Sequence, residues 1–364
     1  MRIATLFGTR PEIIRLSLLM KLLDAAGEHV TIHTGQNFDP RLSDLFFDEL
    51  GLRAPDHHLG IRETGFAAQA GAIIAAAGAL LERLRPDRLL ILGDTNSALA
   101  ALPAKRLGIP VVHMEAGNRC HDERVPEELN RRIVDHASDL LLPYTERSRQ
   151  NLLREGIHPA RIHVTGNPIA EVLEANRARI EASGAGEALG LAPRDYLLAT
   201  LHRAENVDDP RRLPALIEGL AAAARDHGVP ALLSAHPRTR ARLQASGLAV
   251  PSQVILAEPF GFADFVALER DALCVLTDSG TVQEECAILR VPNVTLRDTT
   301  ERPETLDCGS NILAGAEPES IRRTVRVALT TPRDWPIPAE YARRPVAATV
   351  LRLLHGRLPP EALR

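Results

Sequence analysis

Residues 1–26 read MRIATLFGTRPEIIRLSLLMKLLDAA. The apolar run Arg2–Phe7 has the length of one strand, and Gly8-Thr9-Arg10-Pro11-Glu12 then opens a helical stretch, Pro11–Ala26. A strand that turns through a glycine onto a helix start is the first half of a βα unit on a parallel sheet. The alternation recurs at Arg88–Leu92 with Thr95–Leu107, and at Pro110–His113 followed later by Pro126–Leu141. A second series of apolar runs comprises Tyr196–Leu201, Ala231–Ser234, Val254–Ala257, Leu273–Thr277 and Asn293–Leu296. Helical stretches at Arg212–Arg225, Phe262–Arg270 and Ser279–Leu289 lie among them. The expected fold class is α/β, with two Rossmann-like lobes facing a cleft.

A chain of 364 residues is long for one core, which also favours two lobes. Helical patterning gives way to a glycine-containing linker at Ser183–Gly190, after the Ala/Glu/Arg-rich stretch Ile169–Ala182. The lobes are assigned to residues 1–168 and 169–340, and the helical-looking end, 341–364, is expected to join the first. The net charge of -4 provides no excess positive charge for a nucleic acid or an anionic membrane, so neither is expected as a partner. The apolar stretch Ala70–Leu81 falls short of the roughly 20 residues that span a bilayer and reads as a buried helix. Met1–Phe7 reads as a strand rather than a secretory leader, which points to the cytoplasm. The four cysteines show neither metal spacing nor disulfide density.

Ligands of such sheets bind beyond the carboxyl ends of the strands, so polar groups just after strands carry the most information. Gly8–Glu12 sets Arg10 at a helix start, where free amides and the dipole attract phosphate; a tight turn with a solvated arginine is the alternative. Ser279, Gly280 and Thr281 form a second such turn, which helix capping alone would also explain. Arg302 occupies a polar turn after a strand. Asp94, Glu115 and Glu127 are three carboxylates that could meet at one sheet edge, although acidic residues at helix starts, such as Glu127 and Glu128, are also favoured by the dipole. His202 and His236 follow two strands of the second lobe. His113 and Glu115 have the spacing of a zinc deaminase, but no Pro-Cys-x-x-Cys completes a cage, and Cys120-His121-Asp122 cannot all reach one ion without an irregular turn. Gly184, Gly186 and Gly190 lie in the linker, not after a strand, so no dinucleotide fingerprint is present.

Taken in order, Gly8–Glu12, Thr34-Gly35-Gln36, Gly93-Asp94-Thr95, Glu115-Ala116-Gly117, Pro126–Arg131, Leu201-His202-Arg203, Glu205-Asn206, Asp278–Gly280, Glu284-Glu285 and Arg297–Glu304 resemble the non-hydrolysing UDP-N-acetylglucosamine 2-epimerase family nearly end to end. The resemblance implies a glycosyltransferase-B-like fold, a homodimer, a UDP-sugar substrate, and neither metal nor nicotinamide cofactor. It places the nucleotide with Arg10, Phe260 and Phe265, the ribose on Glu285, and the diphosphate against Ser279, Gly280 and Arg302, with His236 nearby. It assigns Asp94, Glu115, Glu127, Arg131 and His202 to the reaction centre. Arg15 stands where the family commonly has lysine, Thr281 where it has a second glycine, and Asn37 where a histidine is frequent; Arg15 and Thr281 are kept as substrate contacts. The segment Asn118–Val125 is shorter than in common bacterial members and looks like branches acting on modified sugars.

Carbon 2 of an N-acetylhexosamine has no adjacent carbonyl, so a carboxylate cannot remove its proton directly at a useful rate. Departure of UDP builds oxocarbenium character at carbon 1 and acidifies the neighbouring hydrogen. Loss of the proton gives a glycal, and re-addition with protonation on the other face inverts the centre. Glu115 or Glu127 is expected to exchange the proton, with Asp94 as partner, while His202 protonates the bridging oxygen or steadies the diphosphate. The main alternatives are a 2-epimerase of another UDP-acetamido sugar, such as a diacetamido-uronic acid or deoxy sugar, and a glycosyltransferase of the same architecture.

Overall fold

Two wholly parallel sheets of six strands carry the chain. The computed structural model describes residues 1–36 and 40–360, without the side chains of 40–44; Asn37 lies outside the described residues. The first sheet comprises β1 (Arg2–Phe7), β2 (Glu28–His33), β3 (His57–His58), β4 (Arg88–Leu92), β5 (Val111–Met114) and β6 (Leu140–Leu142), in the order β3-β2-β1-β4-β5-β6. The second comprises β7 (Leu197–Leu201), β8 (Ala231–Ala235), β9 (Val254–Ala257), β10 (Cys274–Thr277), β11 (Asn293–Thr295) and β12 (Asn311–Leu313), in the order β12-β11-β10-β7-β8-β9. Both follow the Rossmann sequence, in which strand order reverses between the first and fourth strands. The fold is therefore α/β with two Rossmann-like units.

One unit contains Met1–Ala175 and Ala339–Arg364, the other Asn176–Pro338. In the first, the inner strands β4 and β5 are buried at every position, as expected of strands covered on both faces. The Arg10–Ala26 helix buries Ile13, Leu16, Met20 and Leu23, spaced to form one stripe. In the second, Leu197, Ala199 and Leu201 of β7 pack with Leu216, Leu220 and Ala224 of the Arg212–His227 helix. The residues after β1, β4 and β5, and after β7 and β10, thus stand at the two switch points.

Several local expectations change. The helix expected over Pro126–Leu141 ends at Ala137, and Leu140–Leu142 forms β6. The cause is Asp139: its amide donates to Val111 O and its carboxylate accepts from the Val111 amide, both at 2.8 Å, which draws the chain into the sheet. The stretch expected as one helix over Thr95–Leu107 is a 3-10 turn, Asn96–Ala100, followed by a short helix, Ala101–Arg106. The terminal helix spans only Ala347–His355, because Pro345 disfavours helical backbone at the residue before it. Within the expected linker, Ala185–Ala188 forms a helical turn.

The helix around Ala70–Leu81 extends over Phe66–Leu84, and its 19 residues are long and apolar enough to cross a membrane by composition alone. Ala70, Ile73, Ala77, Leu80 and Leu81 are buried, and Gly78 permits close approach, since a Cβ there would lie 3.2 Å from Pro103. Only one face is buried: Ala67, Gly71, Ala75 and Ala79 point outward.

The terminal segment is bound to the first unit at both ends. Glu171 accepts from the amides of Val346 and Ala347 at 2.6 and 2.9 Å. The Arg88 guanidinium donates to the carbonyls of Leu353, Leu354 and Gly356, groups that a helix end leaves unpaired. Arg88→Ala is expected to lower unfolding free energy by about 1–3 kcal/mol in urea denaturation. No change would mean that the apolar contacts of Val350 and Leu354 hold the helix unaided.

Candidate functional site

In the first unit, the turn after β1 is organised by Glu12. Its carboxylate accepts from the amides of Gly8 and Thr9 and from Thr95 Oγ1, each at 2.7 Å. Two amides expected to be free for an anion are therefore already engaged, and Arg10 becomes the principal anion-seeking group of the turn; its guanidinium sits 5.7 Å from the centre of the Phe46 ring. Burial pushes the Glu12 carboxyl up to about 7 against the pull of these hydrogen bonds.

Asp94 follows β4 through Gly93, whose φ of 77° suits glycine. Arg131 Nε donates to Asp94 Oδ2 at 2.8 Å, and Asn130 Nδ2 to the Asp94 carbonyl at 3.0 Å. Arg131 also donates to Glu128 at 2.6 Å. Glu128 is fully buried and accepts from the amides of Cys120 and His121, so it holds the segment after Gly117 in place. Glu127 is half-buried, one turn before Arg131 on the Pro126–Ala137 helix.

Glu115 follows β5 with a φ of 66°, a left-handed conformation that L side chains adopt only under constraint. It is buried and ion-paired with Arg15, which is itself only 3% exposed and lies 5.8 Å from the Tyr144 ring. Arg15 thus holds a candidate catalytic carboxylate instead of standing open at the surface. Beneath both loops lies Asp135, fully buried: it meets His113 Nδ1 at 2.8 Å, accepts from Arg119 at 2.8 Å and from the Gly117 amide at 3.1 Å. His113 Nε2 in turn reaches the Gly93 carbonyl at 2.8 Å.

In the second unit, Asp278 follows β10 with no exposure to solvent. It accepts from the amides of His202 and Arg203, each at 3.0 Å, and from Asn206 Nδ2 at 3.2 Å, and it pairs with His202 Nδ1 at 2.9 Å. Burial alone would raise its pKa, but the His202 charge and these hydrogen bonds outweigh it and hold the carboxyl far below the usual range. An ionised Asp278 fixes a proton of His202 on Nδ1, on a side chain 39% exposed.

Arg302 is buried against the fully buried Glu284. A Cβ at Gly280 would lie 2.7 Å from Glu301 Oε1 and at ordinary contact distance, 3.5 Å, from the Arg302 guanidinium carbon, so a larger residue there requires the Glu301 carboxylate to shift. The Ser279 amide donates to Thr277 Oγ1 at 2.9 Å; Thr281 follows Gly280 on the first turn of the Gly280–Leu289 helix, and Glu285, 3% exposed, lies further along it. His236 accepts the Arg238 amide through Nδ1 at 3.2 Å, capping the next helix. Phe260 and Phe265 pack against one apolar cluster that includes Tyr196 and Leu232.

The residues singled out in the sequence therefore form two groups. Arg10, Arg15, Asp94, Glu115, Glu127 and Arg131 lie at the strand ends of the first unit or on adjoining helices, and His202, His236, Phe260, Phe265, Ser279, Gly280, Thr281, Glu285 and Arg302 at those of the second. The sequence reading missed Asp135 and Glu284 as partners of site groups. It quoted Asp278 within a motif without its bond to His202; the only signal was a carboxylate ending an apolar strand.

A family profile described as UDP-N-acetylglucosamine 2-epimerase matches residues 21–350. The UDP-N-acetylglucosamine 2-epimerase of Methanocaldococcus jannaschii is 40% identical over 347 residues, covering 93% of this chain and 95% of the relative. The UDP-2,3-diacetamido-2,3-dideoxy-D-glucuronate 2-epimerase of Pseudomonas aeruginosa is 38% identical over 333 residues, covering 90% and 92%. Among solved structures, that of the Methanocaldococcus jannaschii UDP-GlcNAc 2-epimerase in complex with UDP-GlcNAc and UDP superposes with a TM-score of 0.92 at 37% identity, covering 98% of this chain and 99% of the other. With this match in sequence and in fold, the chain belongs to the UDP-N-acetylglucosamine 2-epimerase family.

Proposed function

We propose that this enzyme interconverts UDP-N-acetylglucosamine and UDP-N-acetylmannosamine by eliminating UDP to a 2-acetamidoglucal and adding it back. The observation that carries the reading is the pair of carboxylates at the ends of β4 and β5, Asp94 held by Arg131 and Glu115 held by Arg15. In the forward direction the C1–O bond breaks and its electron pair leaves with UDP; a carboxylate takes the C2 proton, and the C1–C2 double bond forms. Glu115 or Glu127 exchanges that proton with Asp94 as partner, and the return step delivers a proton to the opposite face. His202, oriented by Asp278, gives its Nε2 proton to the bridging oxygen or steadies the diphosphate, which Ser279, Gly280 and Arg302 also receive. Arg10, Phe260 and Phe265 hold the nucleotide, Glu285 the ribose, and Arg15, Thr281 and His236 complete the contacts.

A second substrate reading is a modified UDP-acetamido sugar, favoured by the similarity to the diacetamido-glucuronate epimerase. The four cysteines are free thiols, which suits the reducing cytoplasm. A homodimer is proposed as well, as the resemblance to the family implies.

Incubation with UDP-N-acetylglucosamine in heavy water, without acceptor, should place solvent deuterium at carbon 2, and Asp94→Asn, Glu115→Gln and Glu127→Gln should each slow that exchange about 10²–10⁴-fold. Product without deuterium, or full activity in all three variants, rejects the reading; faster turnover of a diacetamido-uronate nucleotide selects the second substrate. Asp278→Asn should lower kcat by about 10²–10⁴-fold in a folded protein, because a carboxamide no longer fixes the His202 tautomer; unchanged turnover removes His202 from proton transfer. Sedimentation at micromolar concentration should show a dimer, and a monomer contradicts it.

A further inference from the structure

Glu269 is a fully buried carboxyl group that the reaction does not use. It lies near the end of the Phe262–Asp271 helix, beside an apolar cluster containing Tyr196, Leu198, Leu268 and Val275. An isolated carboxylate in such surroundings is heavily penalised, and a cation would be the ordinary remedy. No arginine, lysine or histidine pairs with Glu269 among the described residues. Cys286 Sγ donates to its Oε1 at 3.1 Å, while Oε2 is buried and meets no N–H, S–H or hydroxyl donor. The remaining neighbour is the carboxyl group of Glu285, which precedes Cys286 on the Gly280–Leu289 helix and hydrogen-bonds to Glu269.

Two acidic side chains can share a hydrogen bond only if one of them carries a proton. Glu269 is the more deeply buried of the two, so the proton resides there. Burial and the adjacent Glu285 charge both raise the Glu269 pKa well above the ordinary carboxylate range, which agrees with that placement.

We propose that Glu269 is a positioning residue for nucleotide recognition: its carboxylic O–H donates to Glu285, holding that carboxylate in the one orientation that accepts the hydroxyls of a ribose. This rests on the reading of Glu285 as the ribose contact. Glu269 itself touches no substrate. Its effect is to keep Glu285 charged, directed and unable to turn inward, so that a ribonucleotide is preferred over its 2′-deoxy counterpart.

The test is calorimetric titration of the full-length protein with UDP and with 2′-deoxy-UDP, together with steady-state kinetics on the UDP-sugar. Glu269→Ala should reduce the preference for UDP about tenfold and raise KM, with kcat changed by less than about twofold. Glu269→Gln keeps an N–H donor and should restore the preference. In the wild type, UDP affinity should weaken as pH rises through the ionisation of Glu269, because the pair then carries two negative charges; this alkaline limb should be absent in Glu269→Gln. If Glu285→Gln loses the preference and Glu269→Ala keeps it, the proposal falls while the ribose reading stands. If Glu285→Gln keeps it, the ribose reading falls and the proposal with it. Should Glu269→Ala not fold, an unchanged alkaline limb in Glu269→Gln overturns the proposal by itself.

Discussion

A carboxylate taken out of water is tolerated only when donors converge on it. Each unit of this protein is arranged around one such group. In the first it is Asp135, which gathers His113, Arg119 and the Gly117 amide. Through His113 it fixes the Gly93 carbonyl, and so the loop bearing Asp94; through Gly117 it fixes the loop bearing Glu115. In the second it is Asp278, which gathers the amides of His202 and Arg203 and the side chains of His202 and Asn206. The candidate reactive groups are thus one or two bonds removed from a charge that cannot move, and their geometry is inherited from it.

The same logic explains why so many arginines near the site are paired. Arg15 with Glu115, Arg131 with Glu128 and Arg302 with Glu284 each set a guanidinium against a buried carboxylate, and Arg131 also holds the partly exposed Asp94. Removing one partner of such a pair strands the other charge, a penalty of several kcal/mol unrelated to chemistry. Truncating Arg302 therefore reports on Glu284 as much as on any phosphate. It also explains how a chain of net charge -4 can suit an anionic substrate, since local placement of guanidinium groups decides the field where the phosphates bind.

What the sequence revealed of the fold follows from which interactions are local. Arg2–Phe7, Arg88–Leu92 and Val254–Ala257 are strands over the very residues that their apolar runs mark out. The strands that went unread are β2, β3, β6 and β12: His57–His58 is two polar residues, Asn311–Leu313 begins with a buried asparagine, and Leu140–Leu142 continues a helical pattern without interruption. Its pairing with β5, led by the tie between Asp139 and Val111, 28 residues away, makes β6 a strand. The site divides in the same way. Its ligating and titrating groups sit in turns with strong local signatures, whereas Asp135 looks like any acidic residue on a helix, and its partner His113 is 22 positions earlier. Glu284 lies next to the residue that was picked out, Glu285, yet its significance comes entirely from Arg302.

Orientation is the more demanding half of the chemistry. A glycal mechanism of the kind proposed needs a proton delivered to the bridging oxygen as the C1–O bond breaks, and an imidazole whose Nδ1 hydrogen is held by a carboxylate can do this from Nε2 only as imidazolium. Asp278 accepts the Nδ1 hydrogen in either charge state, so the neutral ring is the Nδ1–H tautomer. In the proposed reaction the imidazolium releases its Nε2 proton to the departing oxygen, and the Nδ1–H tautomer left behind takes one back at Nε2 on return, without rotation of the ring. A reversible reaction requires that symmetry, because the group that assists departure must be in the right state to assist re-addition. The charge that permits it is Asp278, kept ionised by four donors at a position where solvent cannot reach it.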